Sequence, residues 1–391
     1  MEEDCLFLNV YRATGLKHLK LPVMVWFHGG GLYYGSGNEY LGVLSGHGAI
    51  VVTVNYRLGL LGYLNVPGSD IKGNYGMLDQ VAALNWVQQN IASFGGIPSM
   101  VTIFGQGAGA SSIAYHMLSP LSTGLFHKAI LQSGAATTPY TFYSSNDPDY
   151  GRDIIQRLGC GDSAMLLGCL REKNIEDFLS VSELTRGMLD LGHKYPVVTV
   201  DGEFLTDEPA KLLERGFVNK VSVLLGVNKN DDGIVPMSEI ARTLDQDISP
   251  KLFSSLVKIA RLSASEETDL MKEAILYRYT NHSAADSTTS IEKQWLDLLT
   301  DSWFNAPAVH MAKALARASV PVRLYQFNYR TELSLYPEIL GVTHGEEIPY
   351  VFALAWANHE GTVKMATTYN GVKRGLSLTV LELWTNFVKY G

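Results

Sequence analysis

The sequence predicts an α/β fold with a mostly parallel central sheet flanked by helices. Short apolar runs recur along the N-terminal part, and segments with helical periodicity separate them. Continuous apolar runs of this length are typical of strands that are buried on both faces of a parallel sheet. Strands that alternate with helices imply right-handed crossovers within one sheet. The predicted strands are Leu21–Phe27, Ala49–Val54, Met100–Phe104 and Lys128–Gln132.

Two helices are predicted between these strands. The first runs from Met77 to about Ala92, because apolar residues recur there every three or four positions and Gly95-Gly96 follows. The second is Ala110–Leu118, which begins just after a glycine-rich turn.

The remainder of the chain is mainly helical between residues 146 and 318. Because no Ser/Gly linker, repeat or charge run divides the sequence, we predict one domain over residues 1–391 with a helical insertion at about 146–318. The elements predicted in this half are strands at Pro196–Val200, Val221–Gly226 and Val320–Phe327, and helices at Ser265–Tyr279, Ser290–Arg317 and Gly375–Tyr390.

Composition excludes several classes of protein. Hydrophobic residues make up 46% of the chain and charged residues 18%, which is a core-forming balance and excludes intrinsic disorder. The net charge is 31 − 39 = −8, so nucleic acid is not expected as a partner. The histidines show no metal-ligand spacing, and both the P-loop and the dinucleotide fingerprints are missing. We therefore predict no metal and no cofactor.

The turn Gly105-Gln106-Gly107-Ala108-Gly109 carries the functional argument. A strand precedes it and a helix follows, which is the context of the nucleophile elbow of α/β-hydrolases. The central residue of that elbow presents the nucleophile above the sheet. Here the central residue is Gly107, which has no side chain to present.

Several longer motifs then identify a family. The chain resembles the type-B carboxylesterase and cholinesterase family over essentially its whole length, which implies the α/β-hydrolase fold. The segments that carry the resemblance, in order, are Glu3–Val10 (EDCLFLNV), His28–Gly31 (HGGG), Asn55–Arg57 (NYR), Gly73–Gln80 (GNYGMLDQ) and Phe94–Gly96 (FGG).

The resemblance assigns catalytic positions residue by residue. Active members read G-E-S-A-G at the elbow, so Gln106 stands where glutamate is usual and Gly107 where the nucleophilic serine is usual. The segment Gly226–Asp231 places the triad acid at Asp231, and Gly341–Glu347 places the histidine at His344. The oxyanion-hole N–H groups implied by the family belong to Gly30, Gly31 and Ala108.

A chain without the serine is expected to be catalytically inactive. Ser111 and Ser112 lie four and five residues beyond Gly107, about one helical turn or roughly 6 Å away, so neither hydroxyl is expected to reach the apex. His344 is then a structural histidine paired with Asp231. The alternative is a carboxylic ester hydrolase with weak activity or a displaced nucleophile.

The family also implies structural pairings. Cys160 and Cys169 resemble a disulfide that closes a short loop, and this would place the protein outside the cell. Two reduced thiols are the alternative, and the pairing of Cys5 stays open. The family also implies a structural salt bridge between Arg57 and Asp79. Independently of the resemblance, Asn281-His282-Ser283 is a glycosylation sequon, which is consistent with secretion.

Three segments resemble the non-catalytic neuroligin branch: Gly105–Ser111, Ile348–Phe352 and Leu383–Phe387. That branch implies cell adhesion through a cell-surface protein partner and a homodimer through the helix Gly375–Tyr390. A calcium-dependent neurexin-type contact is poorly matched, because Lys220 and Ser222 in the loop Gly216–Ser222 stand where a carboxylate would bind calcium.

The family further implies sequence on both sides of this chain. Relatives begin well before the EDCL motif and continue beyond the last helix, so we expect a chain truncated at both ends. A signal peptide and a membrane anchor would then lie outside these 391 residues. Secretion and membrane anchoring therefore remain alternatives.

Overall fold

The strands of a computed structural model confirm the predicted sheet. The described residues are 3–38, 42–142, 148–161, 165–186, 197–232, 236–260, 262–263, 267–284, 287–331, 334, 336–354 and 371–391. Within these ranges the strands are β1 (Leu8–Tyr11), β2 (Leu21–Phe27), β3 (Ile50–Val54), β4 (Gly96–Gln106), β5 (Lys128–Gln132), β6 (Ser222–Asn228) and β7 (Val322–Phe327). They form one sheet in the order β1-β3-β2-β4-β5-β6-β7. Only β1 runs antiparallel to its neighbour, and the other pairs are parallel.

Helices cover both faces of this sheet. Those in the described ranges are α1 (Gly59–Tyr63), α2 (Tyr75–Asn90), α3 (Ala108–Leu118), α4 (Pro148–Arg157), α5 (Leu166–Arg171), α6 (Ile175–Arg186), α7 (Pro209–Glu214), α8 (Met237–Thr243), α9 (Pro250–Ile259), α10 (Asp269–Tyr279), α11 (Thr288–Leu299), α12 (Ala306–Arg317), α13 (Ile348–Val351) and α14 (Gly371–Tyr390).

The core has two apolar layers, one on each face of the sheet. Along β2, Val23, Val25 and Phe27 pack into the layer that contains α2 and α3, whereas Met24 and Trp26 pack into the layer that contains α14. This alternation follows from the two-residue period of a strand. Because both faces are covered, the strand can be apolar throughout, which is the pattern that the sequence showed.

Two predicted elements differ from the structure. No strand forms over the described part of Pro196–Val200: Val198 makes a single bridge with Phe142, and the side chain of Asn74 binds the N–H and C=O of Thr199 instead. The helix predicted at Ser290–Arg317 is interrupted by a π-helical turn at Thr300–Asn305. Pro307 follows that turn and has no N–H to donate, so the regular hydrogen-bond ladder must rearrange there.

The sheet also refines the predicted helical insertion. Strand β6 lies between β5 and β7, so the helices from α4 to α12 form two excursions from the sheet, one before β6 and one after it. Both excursions begin and end at strands of this one sheet. Because β4, β5 and β6 are parallel, the segment following β6 lies at the same end of the sheet as the turn that follows β4.

Candidate active site

The elbow lies at the carboxyl end of β4, where β4 passes into α3. Gly107 has φ +58° and ψ −123°, a conformation that glycine adopts without the penalty that a side chain incurs. Its N–H donates to Gln132 O at 2.8 Å, and its carbonyl accepts from Ser111 N at 3.0 Å. A β-carbon on Gly105 would lie 2.6 Å from Phe27 O, so this glycine is required by close packing. The turn leaves no room for a side chain at Gly105 because the backbone of β2 lies directly beside it.

Asp231 and His344 form a hydrogen-bonded pair above the sheet. The Nδ1 atom of His344 lies 2.7 Å from Asp231 Oδ1, and Asp231 Oδ2 accepts the N–H of Asn228 at 2.7 Å. Asp231 is fully buried, and the side chain of His344 is 15% exposed. The ring of Phe304 packs on the imidazole with centroids 4.8 Å apart. Because Nδ1 faces the carboxylate, Nε2 is the nitrogen left for another partner.

That nitrogen faces the apex of the elbow. A β-carbon built on Gly107 would lie 2.7 Å from His344 Nε2, closer than β-carbons approach such atoms in proteins. The structure therefore brings together Gly107, Asp231 and His344, which lie far apart in sequence. It leaves the position in front of Nε2 without a nucleophilic side chain. The imidazole stands in the space that a larger residue at position 107 would need.

The loop after β2 contains Gly30 and Gly31, two of the residues predicted for the oxyanion hole. Gly30 and Gly31 have positive φ values of +99° and +64°, and Gly30 O accepts the N–H groups of Tyr33 and Tyr34 at 2.9 and 3.1 Å. Ala108 is the first residue of α3, so its N–H has no intrahelical acceptor. Backbone N–H groups in such positions are suited to stabilise an oxyanion.

The two neighbouring serines belong to helix α3. Ser111 and Ser112 are both fully buried within α3. The hydroxyl of Ser112 donates to Ala108 O at 2.9 Å, within its own helix.

Comparison with known proteins fits this geometry. A family model described as "Carboxylesterase family" matches residues 1–391. The chain belongs to the carboxylesterase family. It is 36% identical over 405 residues to carboxylesterase 5A of Ovis aries, with 100% of both chains covered. It is 34% identical over 403 residues to pyrethroid hydrolase Ces2e of Rattus norvegicus, covering 67% of that protein. It is also 36% identical over 417 residues to neuroligin-2 of Mus musculus, covering 49% of it.

Sequence reasoning missed a buried polar network behind the carboxylesterase-family site. Glu347 is fully buried and accepts hydrogen bonds from Gln132 Nε2 at 3.0 Å and from Asn228 Nδ2 at 2.7 Å. Burial, with a smaller contribution from the charge of Asp231, raises the pKa of Glu347. Asn228 therefore connects the two carboxylates. Asn228 and Glu347 lie inside the motifs that identified Asp231 and His344, whereas Phe304 had no sequence signal.

The residue before the apex is buried with an unused donor. Gln106 replaces the glutamate usual in the carboxylesterase family, and its Nε2 finds no acceptor among the described residues. The side chain lies between the two loops of the site, since a β-carbon on Gly29 would lie 3.0 Å from Oε1 and one on Gly345 would lie 3.9 Å from Nε2. An unpaired buried donor is costly, so this replacement does not improve stability.

The pairings implied by the carboxylesterase family are present where the structure describes them. Cys160 and Cys169 form a disulfide with Cα atoms 5.8 Å apart, which confirms that prediction. Cys5 is a free thiol. Arg57 Nη2 lies 2.7 Å from Asp79 Oδ1. Asn281 is exposed, as an acceptor of a glycan must be, and its glycosylation stays a prediction. No described helix is long and apolar enough to cross a membrane.

In the loop Gly216–Ser222, the side chain of Asn219 is engaged within the fold. Asn219 Oδ1 accepts the hydroxyl of Thr123 at 2.9 Å, and its Nδ2 donates to the carbonyls of His116 and Ser119. The oxygen that a cation would need is therefore already engaged. Among the described residues, no group of three His, Cys, Asp or Glu side chains could hold a metal ion.

Two buried histidines predict a pH dependence of stability. Burial lowers the pKa of His116 to about 3 and that of His28 to about 4, from an ordinary value of 6.5. A depressed histidine pKa means that the unfolded chain binds more protons than the folded one below pH 6.5. Stability is therefore lost as the pH falls from about 6.5 towards each folded pKa, at up to roughly 1.4 kcal/mol per pH unit and per histidine.

We expect the variant His116→Gln to lose part of this dependence. Its free energy of unfolding, measured by urea denaturation between pH 7 and pH 4.5, should fall less steeply than that of the wild type by about 1 kcal/mol per pH unit. Variant His18→Gln, at an exposed position, is the control and should keep the wild-type slope. Equal slopes in all three proteins would show that His116 is protonated in the folded state.

Proposed function

We propose that this chain is a catalytically silent member of the carboxylesterase family that acts as an extracellular recognition domain. The observation that carries the proposal is Gly107 at the apex of the elbow, facing His344 Nε2. The acyl-enzyme route needs an oxygen nucleophile that the histidine can deprotonate. At this apex there is none, so the pair His344–Asp231 has a structural role.

Recognition of another protein is the function that fits the remaining features. Neuroligin-2 is among the relatives, and the motifs Gly105–Ser111, Ile348–Phe352 and Leu383–Phe387 resemble that branch. The disulfide Cys160–Cys169 fits an oxidising compartment and so an extracellular location. The partner is a cell-surface protein, and a calcium-dependent neurexin-type contact is not favoured, because Asn219 is engaged within the fold.

Catalytic silence can be tested directly. The secreted chain is incubated with p-nitrophenyl acetate and, separately, with an organophosphate probe whose covalent attachment is read by mass spectrometry. We expect background hydrolysis and no labelling. Turnover together with one label per chain would contradict the proposal, and the labelled residue would identify the displaced nucleophile.

Recognition requires a separate measurement. Fluorescently labelled chain is applied to intact cells with calcium, with a chelator, and after protease removal of surface proteins. We expect saturable binding that survives the chelator and is lost after proteolysis. Absence of saturable binding to every cell type tested would contradict a recognition function.

Weak ester hydrolysis is the second candidate. The observation that favours it is the intact contact of His344 with Asp231 at 2.7 Å, together with relatives named as hydrolases. A water molecule could then take the part of the nucleophile with His344 as general base. Ester turnover without any covalent label, abolished in His344→Gln, would establish this route in place of the silent one.

Helix α14 is the proposed dimer interface. Val372, Leu376, Thr379, Leu383 and Tyr390 are separated by four, three, four and seven residues, which places them in one stripe along the helix. Val372, Leu383 and Tyr390 are 70, 57 and 81% exposed. The opposite face, with Leu381 and Trp384, packs into the core. Such a stripe is suited to pack against the same stripe of a second copy.

We expect Leu383→Arg to produce a monomer. A charge in the middle of the stripe would be desolvated without a partner on dimer formation, which should weaken association about 100-fold or more. Sedimentation velocity over a range of concentrations gives the measurement. Variant Glu382→Arg changes charge on the same helix, beside the stripe, and should remain dimeric. A monomeric wild type, or equal dissociation constants in all three proteins, would remove α14 as the interface.

A further inference from the structure

A cleft of about 500 Å³ opens on the surface beside α10 and α11. Its walls come from the segment after β6, the end of α10, one face of α11 and the π-helical turn Thr300–Asn305. Gly107, His344 and the glycines of the loop after β2 do not line it. We call it the basic cleft, defined by Lys229, Arg278, Tyr279, Lys293, Asp297 and Asp301.

Three cations face this cleft without a salt bridge. Lys229, Arg278 and Lys293 form no ion pair with any residue in the described part of the chain. Arg278 lies over the ring of Tyr279 at 5.8 Å, which holds the guanidinium in place but leaves its charge unneutralised. In a protein with a net charge of −8, a cleft lined by three cations without a salt bridge is suited to an anionic group.

The two acidic residues in the cleft offset part of this charge, and three cations against two carboxylates leave one net positive charge in the lining. Asp301 has both oxygens engaged: Oδ2 accepts the hydroxyl of Tyr279 at 2.7 Å and Oδ1 accepts Asn305 Nδ2 at 2.8 Å. Burial raises the pKa of Asp297, although the charge of Lys293 opposes this. Asp297 is therefore the only carboxylate lining the cleft whose oxygens accept no hydrogen bond from the described residues.

The rest of the lining is rich in hydroxyl and amide groups. The π-helical turn directs Thr300, Asp301 and Asn305 towards the cleft, and such turns are frequent at functional sites. Hydroxyls and amides can both donate and accept, as the hydroxyls of a sugar require. A volume of about 500 Å³ lies in the range of small-molecule sites and far exceeds one inorganic oxyanion. The remaining polar lining residues are Thr280, Asn281, Ser290 and Gln294.

We propose that the basic cleft binds a sugar that carries a single oxyanion group. The phosphate, sulfate or carboxylate contacts Lys229, Arg278 and Lys293, where Arg278 can bind two oxygens at once. The sugar hydroxyls contact the hydroxyls and amides of the wall. Neither the elbow nor the proposed dimer helix takes part in this site, so it is independent of the function proposed above.

The sequon at the mouth of the cleft determines how the proposal must be tested. Asn281 lines the cleft, and its Nδ2 donates to Ser290 Oγ at 3.2 Å. A glycan on Asn281 would compete with a free ligand for the same space. The variant Ser283→Ala removes the sequon and keeps the contact of Ser283 N with Asn281 Oδ1, since that contact uses the backbone. The protein for the binding experiment is therefore the full chain with Ser283→Ala.

Isothermal titration calorimetry tests the proposal with five probes. Glucose 6-phosphate, N-acetylglucosamine 6-sulfate and glucuronate each carry a sugar and one oxyanion, and they distinguish the three sources of negative charge. Glucose and inorganic sulfate carry only one of the two features. We expect at least one charged sugar to bind about tenfold or more tightly than both single-feature probes, and to weaken as salt is raised.

Charge-removing variants locate the binding. Lys293→Gln and Lys229→Gln should each weaken the charged sugar about fivefold to tenfold and leave glucose unaffected. Both lysines are exposed, so the variants are expected to fold normally. Lys313→Gln, at an exposed position on α12, is the matched control and should bind as the parent does. Equal binding of charged and neutral sugars, no binding below about 10 mM, or full affinity in both cleft variants would overturn the proposal.

Discussion

Gly107→Ser is expected to raise ester hydrolysis about 100-fold or more above the wild-type chain, with one organophosphate label per chain. The new hydroxyl would arise directly in front of His344 Nε2, which Asp231 already holds through Nδ1 at 2.7 Å. Gly30 and Gly31 have positive φ values in the loop after β2, and Ala108 begins α3 directly after the apex. The variant would thus place a hydroxyl in front of the His344–Asp231 pair.

The gain is limited by space. The new β-carbon would lie 2.7 Å from Nε2, so the imidazole must move back while it keeps its hydrogen bond to Asp231. Serine must also adopt φ near +58°, which costs roughly 1–3 kcal/mol of stability. We therefore expect a free energy of unfolding lower by about that amount and a rate below that of relatives with a native serine.

Gly107→Ala is the matched control, because it adds the same β-carbon and the same backbone strain without an oxygen. It should be destabilised like Gly107→Ser and show no labelling. Adding His344→Gln to Gly107→Ser should return hydrolysis to the wild-type level. A well-folded Gly107→Ser protein without any gain would show that the His344–Asp231 pair no longer has a catalytic geometry.

Asp79→Asn is expected to lower the free energy of unfolding by about 3 kcal/mol, the largest loss of stability that we predict. The carboxylate of Asp79 accepts three hydrogen bonds from one residue: Arg57 N at 3.0 Å, Nε at 2.8 Å and Nη2 at 2.7 Å. The side chain of Asp79 is only 7% exposed and that of Arg57 is 38% exposed. Removing the acid leaves a half-buried guanidinium without its counter-charge, which is more costly than losing the attraction alone.

Urea denaturation of single and double variants measures this interaction. In the cycle with Arg57→Gln, the double variant should be less destabilised than the sum of the two single variants, because the partners contact each other. Glu208→Gln, which breaks the exposed pair Lys211–Glu208, is the control and should cost less than about 0.5 kcal/mol. Equal losses in Asp79→Asn and Glu208→Gln would show that the Arg57 pair has no special structural role.

Most of the described strands could be predicted from the local sequence. Strands β2 and β5 have the predicted bounds: Leu21–Phe27 is a continuous apolar run, and Lys128–Gln132 has an apolar centre at residues 129–131. Strand β1 was not predicted, since four half-buried residues at a sheet edge carry little periodic signal. No strand forms over residues 197–200 of the strand expected at Pro196–Val200, because the side chain of Asn74 hydrogen-bonds the N–H and C=O of Thr199 there. Side-chain contacts over such distances in sequence leave no local pattern.

For the site, the sequence by itself determined that the elbow has no nucleophile, because the absence of a side chain at Gly107 needs no coordinates. The motifs likewise identified Asp231 and His344. Only the tertiary structure decided that His344 Nε2 stands in the space of the missing side chain, that Glu347 and Gln106 lie buried around it, and that the basic cleft exists. Each of these depends on how strands and loops distant in sequence meet, and packing over such distances is fixed by the whole fold rather than by any one segment.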